Sequence, residues 1–101
     1  MNMAIKSHEQ ILSEIISHAE KGYSIPSDWY VGITHSPIQT LFQIHRVDRQ
    51  NGFWIYRTAG SKEEARKIKD ELLERGFVTK PELINDGTVV FAYKKTNTTI
   101  P

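Results

Sequence analysis

Three runs of aromatic and β-branched residues constrain this chain more than any other feature: WYVGIT (29–34), FWIYRTA (53–59) and TVVFAYKK (88–95). Each is short and apolar on both sides, so each reads as a buried strand. A helical segment precedes every one of them. Ser7 opens the first, with Gln10 three residues later in capping-box spacing. Ile11, Leu12, Ile15, Ile16 and Ala19 then recur at helical period, which predicts a helix over 7–21 that Gly22 ends. Ser36 as cap and Pro37 at the first turn predict a second helix over 37–45, with Ile38, Leu41, Phe42 and His45 on one face. Ser61-Lys62-Glu63-Glu64 is a capping box with acids against the helix dipole. It opens a third helix with Ala65, Ile68, Leu72 and Leu73 as its buried stripe and Gly76 as its stop.

The order is therefore α-β-α-β-α-β. It predicts an α/β (α+β) fold: a small three-stranded sheet, at least partly antiparallel, covered by helices. Asn51-Gly52 is read as a turn that uses positive φ angles, and Asp86-Gly87 as the turn into the last strand. The polar run TNTTIP (96–101) is read as a frayed tail.

With 101 residues, 39% of them hydrophobic, the chain supports one modest core and a single domain over 1–101. Its 13 basic and 12 acidic residues leave a net charge of +1, which neither requires nor excludes a nucleic-acid partner. The absence of cysteine excludes disulfides and thiolate metal sites. No run of about 18 apolar residues is present, so no membrane span is expected. The start of the chain lacks the apolar core of a signal peptide, so a cytoplasmic protein is expected. His8, His18 and His35 show no metal-ligand spacing and are read as surface residues without a convergent partner.

The segment YVGIT (30–34), then a helix with Leu41 and His45, a strand, and a helix with Ala65, resembles the GIY-YIG nuclease superfamily over 29–76. It also looks like small bacterial or phage proteins of unassigned role. The resemblance implies phosphodiester hydrolysis. A tyrosine or an activated water serves the attacking oxygen, an arginine stabilises charge on the phosphate, and a glutamate holds a divalent ion, commonly magnesium. Tyr30 and Gly32 match the YIG element, and His45 matches the histidine that often ends the following helix. Thr40 stands near the position of the expected arginine, and Lys69 near that of the glutamate. Each lost charge is worth a few kcal/mol of barrier, or roughly a 10²-fold loss of rate.

The resemblance thus implies a catalytically degenerate domain without a cofactor, one that binds nucleic acid or protein as a regulator or inhibitor. Its alternative is a metal-dependent endonuclease with displaced groups: Tyr30, His45, Arg57 and Glu64, with magnesium. Read from charge alone, Arg46, Arg49, Arg57, Lys62, Arg66 and Lys69, with Lys94-Lys95, are candidates for a face that binds DNA or RNA phosphates. Trp29, Trp54 and Tyr56 are candidates for stacking on bases. Against this stand the pairs Glu63–Lys67, Arg66–Asp70 and Glu71–Arg75, which have the i,i+4 spacing of an ordinary solvated helix. Likewise Tyr30 reads equally as a packed strand tyrosine with its hydroxyl in water, and His45 as a partly buried residue with one hydrogen bond.

Overall fold

The structure is a computed structural model that describes residues 6–21, 24–81 and 86–101. Its elements follow the alternation of the sequence: α1 (His8–Glu20), β1 (Trp29–Thr34), α2 (Pro37–Gln39), β2 (Trp54–Thr58), α3 (Lys62–Glu74) and β3 (Val89–Lys94). Among the described residues no helix is long and apolar enough to cross a membrane.

Local chemistry sets the ends of the two long helices. Ser7 Oγ accepts the Gln10 N–H at 3.2 Å, and Ser61 Oγ accepts the Glu64 N–H at 3.0 Å. Each satisfies one of the amides that a helix start leaves unpaired. At the end of α3 the Gly76 N–H donates to Leu73 O at 3.0 Å and the Phe77 N–H to Leu72 O at 3.1 Å. This is a Schellman closure, with Gly76 at φ +110°, where a side chain would be strained. α1 ends at Glu20 with Lys21 in the cap position, and Gly22, the expected stop, lies outside the described residues.

The three strands form one antiparallel sheet in the order β1-β3-β2, so the last strand in the chain is the middle one. Alternation along the strands divides the side chains between two faces. Val31, Ala92 and Ile55 share one row, with Ile33 and Val90 beside them, and they pack against Ile11, Ile15, Ala65, Ile68 and Leu72 of α1 and α3. Tyr30, Tyr93 and Trp54 share a row on the opposite face, where Leu41, Val47, Phe91 and Tyr56 join them. Both outer edges are partly closed. Val78 forms a single parallel bridge to β1, and on β2 the Lys6 N–H and the Arg57 guanidinium take the carbonyls of Thr58 and Tyr56.

The second helix departs from expectation. Only Pro37–Gln39 is α-helical; Thr40–Ile44 continues as a π-turn in which the His45 N–H reaches back to Thr40 O at 2.9 Å. The wider turn rotates Ile38 away from the face that Leu41 and His45 share, and Ile38 is 45% exposed. Ser36 does not cap. Its N–H donates to Thr34 Oγ1 at 3.0 Å, its hydroxyl pairs with His35, and a buried contact of 2.8 Å joins the Thr34 and Thr40 hydroxyls instead.

The turn at Asn51-Gly52 also differs, because neither residue has positive φ. Asp48 makes the reversal: its Oδ1 accepts the N–H groups of Gln50 and Asn51, and its carbonyl accepts from Gly52. Gly52 is required for space, since a Cβ there would lie 2.6 Å from Asp48 O. The segment 96–101 is not frayed, for Ile100 is hydrogen-bonded to His45.

Two histidines read as surface residues are half-buried and engaged. His18 sets its ring edge-on to Trp29 at 5.8 Å, and its Nε2 is buried with no hydrogen-bond partner among the described residues. His8 fastens α1 to α3: Nδ1 lies 3.0 Å from Glu64 Oε1 and Nε2 lies 2.7 Å from Glu71 Oε1. Only the protonated ring donates from both nitrogens, and the bond to Glu71 is the largest influence raising the His8 pKa above its ordinary 6.5. Because the folded state holds this proton more tightly than the unfolded chain, the clamp stabilises fully below pH 6.5 and is lost as pH rises through the raised value. Melting temperatures of wild type and His8→Gln, measured from about pH 5 to about pH 9, are expected to differ most at the acid end and to converge at the alkaline end.

Candidate functional site

The structure brings Tyr30 and His45 together on the aromatic face of the sheet. The alternation of β1 turns Tyr30 toward this face, and the π-turn delivers His45 above it. Their ring centroids are 4.8 Å apart, and Tyr93 and Phe91 complete the cluster around them. Both residues are more enclosed than expected. Tyr30 is 0% exposed, so its hydroxyl is not in water; it donates weakly to Lys80 O at 3.5 Å. His45 is 2% exposed and has several contacts: Nδ1 is 2.6 Å from Ile100 O and 2.9 Å from the Tyr93 hydroxyl.

Arg57 and Glu64 lie on the other side of the sheet. Arg57 shares a row with Val90 and Ile33 and donates through Nε to Glu14 of α1. Its guanidinium holds the Glu14 carboxyl below the usual carboxylate range. Glu64 is taken up by His8. The four candidate catalytic residues therefore fall two on each face and make no common constellation. Lys69, where the resemblance expects the metal-holding carboxylate, is a half-buried cation on α3, and an ammonium repels a divalent ion. Among the described residues no three His, Asp or Glu side chains converge as a ligand set. The described residues thus offer no ligand set for the ion that the resemblance implies. The resemblance over 29–76 also leaves out β3, the strand to which both of its own strands are hydrogen-bonded.

The basic candidates are divided in the same way. Lys62, Arg66 and Lys69 stand on α3, with Lys62 bound to Asp86 at 3.1 Å, and Arg57 is neutralised by Glu14. Arg46 and Arg49 are exposed in the connection between the π-turn and β2. Trp29 is fully buried and its Nε1 donates to Ser24 Oγ at 2.9 Å, so it offers no stacking surface.

What remains exposed is a row of rings on the aromatic face. Phe42 meets Trp54 edge-on at 5.0 Å, and Trp54 lies parallel to Tyr56 at 6.2 Å and 11°. The Arg49 guanidinium sits 4.3 Å from the Phe42 centroid, while the Arg49 carbonyl accepts from Trp54 Nε1 at 3.0 Å. All three rings are half-exposed. Asp48, the acid in this connection, has its carboxylate occupied by the amides of its own turn, which hold its pKa down. Sequence reasoning named Trp54 and Tyr56 and missed Phe42. No local signal links Phe42 to β2, because the π-turn decides which way it points.

Replacing His45 by alanine is expected to open a cavity among Tyr30, Phe91 and Tyr93 and to lower stability by about 2–5 kcal/mol. In urea unfolding, Arg49→Ala is expected to leave the midpoint unchanged, as befits a surface cation. No family model, no curated protein and no solved structure matches this chain.

Proposed function

We propose that this chain is a non-catalytic, GIY-YIG-like binding module that grips single-stranded nucleic acid on the Phe42–Trp54–Tyr56 face and acts as a regulator by occupying the strand without cutting it. The observation that carries this reading is the half-exposed ring row with the Arg49 guanidinium over one end. Unpaired bases stack on such rings for about 1–3 kcal/mol each, whatever their identity. Arg49 and the neighbouring Arg46 supply charge for the phosphates between them. A duplex keeps its base faces inside the stack and has no use for flat rings. The lysines and arginine of α3 lie on the opposite side and take no part.

The non-catalytic half of the reading is supported by the burial of Tyr30 and His45 and by the pairing of Arg57 and Glu64 with residues of α1 on the other face of the sheet. A tyrosine hydroxyl fully buried under a packed aromatic cluster is not open to a phosphodiester in line with it.

Tryptophan fluorescence tests the binding half, because Trp29 is sealed and Trp54 reports on the surface. Oligothymidylate is expected to quench the emission. With two phosphates neutralised at a slope of roughly −0.7 each, affinity falls about sevenfold between about 50 and about 200 mM salt. Tyr56→Ala, which keeps the Trp54 reporter, is expected to weaken binding by roughly tenfold. Absence of affinity at low salt removes the nucleic-acid reading. Plasmid cleavage with magnesium that vanishes in Tyr30→Phe removes the non-catalytic one.

A further inference from the structure

The segment 96–101 folds back over the Tyr30–His45–Tyr93 cluster. Thr96 and Thr99 build a turn that starts it: the Thr96 N–H donates to Thr99 Oγ1 at 2.9 Å, and Thr99 Oγ1 donates to Thr96 O at 3.1 Å. The turn sends Ile100 along the end of the π-turn. There the Ile100 N–H donates to the His45 carbonyl at 2.7 Å, and the Ile100 carbonyl lies 2.6 Å from His45 Nδ1. The Tyr93 hydroxyl also reaches that carbonyl, at 3.5 Å. A carbonyl only accepts, so Nδ1 carries the proton, and the segment fixes the tautomer of a buried imidazole.

The segment and what it covers are unequal. His45, Tyr93 and Tyr30 are among the most enclosed side chains described. The Ile100 side chain is 54% exposed, and Thr96, Asn97, Thr98 and Pro101 are exposed as well. Hydrogen bonds at a single residue hold the segment down; apolar burial does not. An element with few buried apolar contacts opens at lower free energy than the core beneath it.

We infer that residues 96–101 are a detachable strap that closes a polar recess lined by the His45 imidazole and the Tyr93 hydroxyl. Released, it uncovers the His45 carbonyl and the side of Nδ1 that faces Ile100, which are spaced to take the N–H and the C=O of one residue, while Nδ1 keeps its contact with the Tyr93 hydroxyl. The core stays folded while this happens. The inference is independent of the nucleic-acid reading, which uses other residues of the same face.

Carbethoxylation of histidine by diethyl pyrocarbonate, read by peptide mass spectrometry, measures the opening on the full chain. Exposed His35 serves as the internal reference for His45. Ile100→Pro removes the N–H that binds His45, and Thr99→Ala removes the turn hydroxyl; both positions lie outside the core. The His45:His35 rate ratio is expected to rise by roughly tenfold in Ile100→Pro, the opening that follows from losing one hydrogen bond, and by less in Thr99→Ala. Amide exchange of β1 and β3 stays protected in both. An unchanged ratio overturns the strap. So does a ratio that rises only together with loss of protection in β1 and β3, because the segment would then open only with the whole fold.

Discussion

β3 is paired with a strand along both of its edges, whereas β1 and β2 each pair with a strand along one. Without it β1 and β2 have no contact with each other, and the two helices that lie on the sheet have no continuous surface to cover. Its sequence meets that demand on both sides: Val90 and Ala92 enter the α1/α3 core, while Phe91 and Tyr93 enter the aromatic one. Strands buried on both faces read as unbroken apolar runs, and VVFAY is one. The pairing is also non-local, because β1 stays unpaired until a strand from the far end of the chain is in place.

That central strand makes the sheet a wall between two environments. On one side, mainly aliphatic residues of α1 and α3 seal the face, with the His8 and Arg57 clamps at its rim. On the other side a short helix and a π-turn do the covering, with aromatic rings in place of aliphatic side chains. A short cover leaves Phe42, Trp54 and Tyr56 half-open at the β2 edge and needs residues 96–101 to close over His45 at the other. The exposed rings and the strap therefore share one origin: this face has too little helix to bury it.

The nuclease alternative expected Tyr30, His45, Arg57 and Glu64 to converge. Tyr30 and His45 do meet, but Arg57 and Glu64 lie on the other face. Spacing along a strand determines the parity of a side chain, but which parity faces which core depends on where the helices dock. Arg57 has the parity of Ile55, and Ile55 is a core residue of the α1 side. His8 was invisible as a clamp for a related reason: Glu64 and Glu71 are far from it in the chain, and only the docking of α1 on α3 brings them to its two nitrogens.

What the sequence determined by itself is whatever depends on neighbours along the chain. The caps at Ser7 and Ser61, the stop at Gly76, the helical stripes, the three apolar runs and hence the α+β class all arise from interactions across a few residues, and they were legible. Tertiary structure decided the rest: the order β1-β3-β2, the π-turn that exposes Ile38, the reversal made by Asp48, the docking of Ile100 on His45 and the row formed by Phe42, Trp54 and Tyr56. Each of these is chosen by a partner that the local sequence does not contain. The backbone groups of residues 96–101 would bind water equally well in isolation, and it is the buried imidazole of His45 that gives them a better place to go.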